Sequence, residues 1–222
     1  MTNRQETELE NVEQAAMRLV VRAISDFSSQ AKIIFRQETD LPQDVAEDCT
    51  TEALQTLGAS GLRHRLFGKI DYKKAIWLFF PDREQAVALF VDSKAEKPEG
   101  EGTATIQLTQ TSLEVRMIRS GEVVHEKGLL PTKIPSPFGD LQVVTIFVKY
   151  IYSTNDTQTG YDLRDIIVFC LPSGELQSKY NPNEDKSFWR AGRNAPTLGE
   201  EFRVRVKLSA LKDFANWRVV KI

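Results

Sequence analysis

The chain has 222 residues, 41% hydrophobic and 27% charged, with a formal charge of −2. That is chain enough for one domain with a sizeable core, and too little positive charge for a generally basic nucleic-acid binder. No apolar run approaches the ~20 residues of a membrane span, the acidic, polar start Met1–Glu10 is no signal peptide, and the distant Cys49 and Cys170 read as reduced, buried thiols of a cytoplasmic protein.

Charge is unevenly spread. Residues 1–60 carry 11 acidic against 5 basic side chains, and residues 186–222 carry 9 basic against 3 acidic. A basic C-terminal part on a near-neutral protein fits a polyanion-binding face opposite a solvated acidic one.

From residue 6 to 36, Leu9, Val12, Ala16, Leu19, Val20, Ala23, Ile24, Phe27 and Ala31 recur at steps of three and four. This marks one face of a long amphipathic helix, and Glu6, Glu8, Glu10 and Glu13 sit near its start, where the helix dipole favours negative charge. Such a stripe is more often core packing than a partner-binding surface. Leu41-Pro42 opens a second helix that ends at Gly58, with proline in its first turn. It carries Glu47, Asp48 and Glu52, for which a solvated role is the commoner one. Arg63, His64 and Arg65 form a small basic cluster beyond it.

Ala75–Phe80 and Ala86–Val91 are apolar runs split by Pro81-Asp82, which predicts neighbouring strands of a hairpin. Side chains alternate along a strand, so Asp92 and Lys94 project to the same side, and Asp71 lies at the start of the preceding strand. Two carboxylates and one ammonium meeting at a sheet edge suit metal-dependent phosphodiester hydrolysis. The carboxylates hold a hard cation through oxygen, and the lysine orients and activates the attacking water. The bland alternative is a polar strand exit with both charges solvated.

Ala95–Gly102 reads as a flexible loop without P-loop spacing, residues 103–118 show no clean period, and Leu130–Phe138, with three prolines, reads as an irregular connection. Leu141–Tyr152 and Leu163–Leu171 are β-branched and apolar, as central strands are. Ser153–Gly160 is their hairpin loop, and Leu176–Tyr180 is expected as a short strand. Glu201–Leu208 alternates Phe202, Val204, Val206 and Leu208 with Glu201, Arg203, Arg205 and Lys207. Arginines two apart on one strand face can enter a groove together, each pairing bidentately with guanine; the alternative is a solvated face neutralised by Glu200 and Glu201. Ala210–Ile222 reads as a short helix and an edge strand, with Trp217 in the core.

Four segments occur together in order: Phe67–Lys73, Phe90–Lys94, Lys179–Pro182 with Phe188 and Ala191–Arg193, and Gly199–Glu200 leading into Arg203–Val206. They resemble the PD-(D/E)xK nuclease superfamily, whose signature is an Asp followed at a distance by Asp-x-Lys. More closely, they resemble the SfiI and BglI group of type II restriction endonucleases, which cut interrupted palindromes. The resemblance spans about residues 45–220. It implies an α/β (α+β) fold with a restriction-endonuclease-like central mixed sheet flanked by helices. All of 1–222 would be one endonuclease domain, with an N-terminal helix in 1–40, a helix plus catalytic strands in 41–100 and a recognition loop and strand in 180–210.

The function it implies is a hydrolase of restriction–modification. Such an enzyme cuts both strands of double-stranded DNA at a short, G/C-containing interrupted palindrome, leaving 5′-phosphates and a 3′ overhang. Asp71, Asp92 and the Ser93 carbonyl would bind Mg²⁺, and Lys94 would position and polarise the attacking water. Arg190, Arg193, Asn194, Arg203 and Arg205 would contact DNA, Arg190 at a phosphate, with Gln107, Thr109 and Gln110 as further backbone contacts. Related nucleases often place an acidic residue on the helix before the first catalytic Asp, which makes Glu47 that candidate. Lys207 departs from the family pattern, where an acidic or aromatic residue can follow, and leaves the exact base specificity open.

A palindromic site presents two equivalent half-sites to a homodimer, and the resemblance implies that part of the 6–36 helix helps hold it. The chain stops soon after Trp217, earlier than the tetrameric relative, which favours a dimer over a tetramer. Two alternatives stand beside this reading: a repair or recombination nuclease of the same superfamily, and a non-catalytic DNA-binding protein with the same fold.

Overall fold

The computed structural model describes residues 2–55, 60–61, 75–80, 85–136, 139–154, 160–191 and 203–222. The predicted amphipathic stripe becomes α1 (Asn3–Gln37), started by a capping box between Thr2 and Gln5. Its buried face carries Leu9, Val12, Ala16, Met17, Val20, Ala23, Ile24, Ala31 and Phe35. The second helix, α2 (Pro42–Gln55), begins with proline in its first turn as expected.

Strands β1 (Ser60–Gly61), β2 (Ala75–Phe80) and β3 (Gln85–Glu96) follow, with β2 antiparallel to β3 from Ala75↔Phe90 to Phe80↔Gln85. β3 outruns β2 by six residues, and those six include Asp92 and Lys94. β4 (Thr103–Gln107), the ribbon of β5 (Val115–Arg119) and β6 (Glu122–Glu126), and β7 (Lys133–Ser136) lead to β8 (Gly139–Thr154). β8 runs parallel to β3 from Val87↔Gln142 to Glu96↔Ile151, and a parallel neighbour requires a long crossover. β9 (Tyr161–Leu171) returns antiparallel to β8. After α3 (Gln177–Tyr180) come β10 (Trp189–Ala191), β11 (Arg203–Lys207), α4 (Leu208–Phe214) and β12 (Val219–Lys221).

The main mixed sheet has the order β1-β2-β3-β8-β9-β12, with β7 added on β8, and a second sheet has the order β10-β11-β4. Along β8, alternation sends Val144, Ile146, Val148 and Tyr150 to a core shared with α1 and α2. It sends Phe147 and Ile151 to an opposite core shared with β4, β11 and α4. Helices on one face and the small sheet on the other give the mixed α+β architecture that the sequence predicted.

Three local expectations are corrected. Leu176–Tyr180 is a 3-10 turn (Gly174–Leu176) running into α3, because Ser173 caps it by accepting the Glu175 N–H. Within the proline-rich Leu130–Phe138, Lys133–Ser136 pairs with β8 as a strand on one edge, where proline's missing N–H is tolerated. The aperiodic 103–118 stretch holds β4, a 3-10 turn and β5.

Trp217 is only partly buried, and its ring lies 4.3 Å from the Arg218 guanidinium, which Tyr180 covers at 4.1 Å on its own side. Arg218 is fully buried and donates to the buried Glu13 carboxylate at 2.6 Å, whose other oxygen accepts the Ser173 N–H at 2.7 Å. Burial pushes the Glu13 carboxyl pKa up against the pull of Arg218. Breaking such a pair by removing one partner costs ~3–5 kcal/mol.

Candidate active site

The C-terminal end of β3, paired with β8 through Glu96, is the centre of the site. Phe90, Asp92, Lys94 and Glu96 share one face of the strand and Val91, Ser93 and Ala95 the other. The Lys94 ammonium lies 2.7 Å from Asp92 Oδ2, so the predicted same-side pair forms a direct ion pair. Both side chains keep about a fifth of their surface. Phe147, opposite Asp92 in the parallel ladder, places its ring under the ammonium at 5.8 Å. An apolar floor lowers the local dielectric and strengthens the pair relative to a solvated one. The Gln110 amide oxygen stands 3.5 Å from the same ammonium and accepts the Gln107 N–H at 3.1 Å.

Ser93, on the other face, is fastened to α2. Its hydroxyl donates to Thr50 Oγ1 at 2.7 Å, and Thr50 donates its own proton to the Ala46 carbonyl at 2.9 Å. The Tyr150 hydroxyl, 3.0 Å away, then donates to Thr50 as well. Gln43 of α2 meets the strand backbone: its Nε2 donates to Ser93 O at 2.7 Å and to Glu47 Oε1 at 3.2 Å, and its Oε1 accepts the Ala95 N–H at 3.0 Å. Glu47 is half-buried toward β3, one helical turn from Gln43, whereas Asp48 and Glu52 face solvent. Of the acidic candidates on this helix, Glu47 faces the site.

Lys149 continues the row beside Lys94 on β8 and is fully buried. Its ammonium pairs with Glu96 Oε2 at 2.8 Å and donates to the Gly100 carbonyl at 2.5 Å and to the Thr103 carbonyl. Burial pushes its pKa down, and the Glu96 carboxylate pushes back. The chain leaving the site is thereby tied to the start of β4. Neither Gln43 nor Lys149 stood out in the sequence. A glutamine after a helix-opening proline and a lysine inside an apolar strand were the only traces.

The second constellation is the outer face of the small sheet. Register places Arg190 opposite Arg205 and Arg205 opposite Thr105, with Arg203 opposite Gln107 and Lys207 opposite Thr103. The inner face carries Trp189, Val204, Val206, Ala104 and Ile106, all buried. The predicted alternation of β11 therefore holds, with Arg203 and Lys207 exposed and Arg205 half-buried. Like charges directly opposite each other are destabilising, and among the described residues no carboxylate pairs with Arg205. Arg190 folds one amino group onto the Ser187 and Trp189 carbonyls at 3.0 and 2.8 Å, which fixes its arm. Thr109 and Gln110 are buried, so of the three further contacts expected in this region only half-buried Gln107 retains surface. Asp71, Arg193, Asn194, the Arg63–Arg65 cluster, Glu200 and Glu201 lie outside the described residues.

A family model described as type II restriction enzyme SfiI matches residues 9–222. The chain belongs to the SfiI family of type II restriction endonucleases. It is 35% identical to the type II restriction enzyme SfiI of Streptomyces fimbriatus over 226 residues, covering 97% of this chain and 84% of that protein. The crystal structure of tetrameric SfiI bound to cognate DNA superposes with a TM-score of 0.85 at 31% identity, over 98% of this chain and 85% of that one. BglI bound to its recognition sequence superposes with a TM-score of 0.75 at 17% identity, over 99% and 94%, which is a likeness of fold. The family is the one that the four sequence segments pointed to.

In an SfiI-family endonuclease, a site built on oxygen donors is tested by what the strand offers. Asp92 supplies a carboxylate, Ser93 a main-chain carbonyl next to it, and Glu47 a carboxylate one hydrogen bond away through Gln43. Among the described residues no three His, Cys, Asp or Glu side chains converge into a closed metal cage. A few hard oxygens, one or two of them carboxylate, suit Mg²⁺, which keeps several waters and takes one or two carboxylates.

Proposed function

We propose that the chain is a Mg²⁺-dependent endonuclease that hydrolyses both strands of double-stranded DNA. Its site would be a short, G/C-containing interrupted palindrome, and its products would carry 5′-phosphates and a 3′ overhang. The observation that carries the reading is the Asp92–Lys94 ion pair on β3, in ladder with Phe147 and Lys149 of β8, beside a strand face of in-register arginines. Catalysis falls to Asp71, Asp92 and Lys94. Asp71, Asp92 and the Ser93 carbonyl would hold Mg²⁺, which when bound supplies charge to the scissile phosphate and acidifies its water.

Lys94 holds the attacking water by donating a hydrogen bond to its oxygen. Asp92 fixes the ammonium from one side and the Gln110 amide oxygen from another, so the donor is preorganised before DNA arrives. DNA contact falls to Arg190, Arg193, Asn194, Arg203 and Arg205. Guanidinium groups on one strand face match the O6 and N7 acceptors of guanine, and a phosphate backbone relieves the Arg190–Arg205 repulsion. The SfiI structure carries cognate DNA, which supports duplex DNA as the partner. Two-fold symmetric sites call for a homodimer as the smallest cutting unit, working in the cytoplasm.

The experiment is digestion of a sequenced phage DNA by purified protein, with and without Mg²⁺, with the ends mapped. Discrete Mg²⁺-dependent fragments ending in 5′-phosphate are expected. Smearing, or nicking at irregular structures, overturns sequence-specific cleavage. Sedimentation of the protein–DNA complex separates a dimer from a tetramer.

A further inference from the structure

We propose that Gln43 is a positioning residue that sets the oxygen geometry of the cation site at the end of β3. The proposal deepens the endonuclease reading and rests on it.

Among the described residues β2 pairs with β3 as far as Ala75↔Phe90, and β3 continues to Glu96. The Ser93 carbonyl and the Ala95 N–H are two residues apart and therefore leave the strand from the same edge. The Gln43 side-chain amide meets both, donating to one at 2.7 Å and accepting from the other at 3.0 Å. It completes the ladder like a neighbouring strand. The peptide units it grips flank Lys94, so the backbone carrying the ammonium cannot rock about that edge.

The second N–H of the same amide donates to Glu47 Oε1 at 3.2 Å. One planar group thus binds a main-chain oxygen and a carboxylate oxygen and fixes the spacing between them. A carbonyl or carboxylate oxygen carries two lone pairs, so one bond from Gln43 does not by itself fill either acceptor. Those are the two kinds of oxygen that a hard divalent cation takes, and outer partners that orient such donors change metal affinity by ~10–100-fold when removed. A purely structural clamp needs only the strand contacts; the bond to Glu47 adds nothing to strand pairing.

The test is calorimetric titration of Ca²⁺ into the full chain bound to a duplex carrying its mapped site, with unfolding temperature recorded without metal. Gln43→Met keeps the side-chain length and removes all three hydrogen bonds, and Ca²⁺ binding is expected to weaken ~10-fold or more. Gln43→Glu keeps the acceptor for the Ala95 N–H, and an acidic residue in the first turn favours the helix, so this variant folds. Its carboxylate cannot donate to Ser93 O or to Glu47, so both orienting bonds are lost and Ca²⁺ binding is expected to weaken as in Gln43→Met. Affinity within about twofold of the parent in Gln43→Met, with a lowered unfolding temperature, makes Gln43 a fold contact and overturns the proposal. Binding as tight as the parent's in Gln43→Glu overturns it too. Asp92→Ala is the control for the underlying reading: if it binds Ca²⁺ as the parent does, the site itself is misplaced and the proposal falls with it.

Discussion

Replacing Lys149 by methionine probes the join between the cutting strand and the small sheet. Methionine keeps the unbranched stem, so no large cavity opens and the loss is polar. The Glu96 carboxylate loses its partner at 2.8 Å, and the Gly100 and Thr103 carbonyls lose their donor. Removing one member of a buried pair costs ~3–5 kcal/mol, toward the lower end here because the Glu96 side chain keeps 26% of its exposure. Stranded buried carbonyls add ~1–3 kcal/mol, and the two terms overlap because one group serves all three acceptors. A net loss of about 4 kcal/mol follows, which lowers the unfolding temperature by ~8–16 °C in a chain of this length. Adding Glu96→Gln removes the stranded charge and is expected to restore about half of the loss. Thermal and denaturant unfolding of the parent, Lys149→Met and the double variant measure it. A loss below about 1 kcal/mol, or a double variant no more stable than the single one, refutes the reasoning.

The remaining predictions concern chemistry and reading. Asp92→Ala is expected to abolish Mg²⁺-dependent cleavage while sequence-specific binding in Ca²⁺ persists by gel shift; retained cutting sinks the site assignment. Arg205→Ala is expected to lose ~1–3 kcal/mol of discrimination at one base position, measured as relative cleavage of single-base variants of the site, whereas an equal loss on every sequence makes Arg205 a phosphate contact. Burial pushes the Cys49 thiol up to about 12 and raises Cys170 further, so a maleimide at pH 8 labels neither thiol until the protein unfolds; rapid labelling of the native protein contradicts their burial. Burial raises the Glu10 carboxyl, but hydrogen bonds from Lys179 and Tyr180 outweigh it and hold the pKa below 4.5. The contribution of Glu10 to stability is therefore full above 4.5 and lost as pH falls through the lowered value. Glu10→Gln should flatten the acid limb of stability against pH, and an unchanged limb counts against the assignment.

What the sequence made legible was periodic. The α1 stripe, the alternation in β11 and the β-branched runs of β8 and β9 each repeat a spacing that only one secondary structure satisfies, and each forms as read. The Asp92–Lys94 pair was legible for the same reason, since a two-residue spacing on a strand fixes the face. β7 was hidden because prolines mask strand character except at an edge, and a sequence does not show its edges. α3 was hidden because it continues a 3-10 turn capped by Ser173, the residue directly before that turn, and not a pattern of its own. Gln43 was invisible for a deeper reason. Its partners are about fifty residues away in the chain, and nothing local distinguishes a glutamine that clamps a strand from one in water.

The geometry also explains why the proposed site is divided between the main sheet and the β10-β11-β4 sheet. The main sheet is buried on both faces and gives β3 a rigid neighbour along ten residues of β8, which suits a site whose groups must be held to a fraction of an ångström. The DNA reading proposed for β11 needs the opposite, a strand with one polar face open to a groove, and β11 has that form because only its inner face is packed. The two requirements conflict on one sheet, and separating them creates a joint that must stay stiff. Lys149 ties the exit of β3 to the entry of β4, and Gln110 ties Lys94 to the far end of β4, where Gln107 lies opposite Arg203. β4 is thus gripped at both ends by groups that also touch the cutting strand. The arginine face and the ammonium consequently share one frame, so that DNA seated on the first, as the proposed function has it, would meet the second already in place.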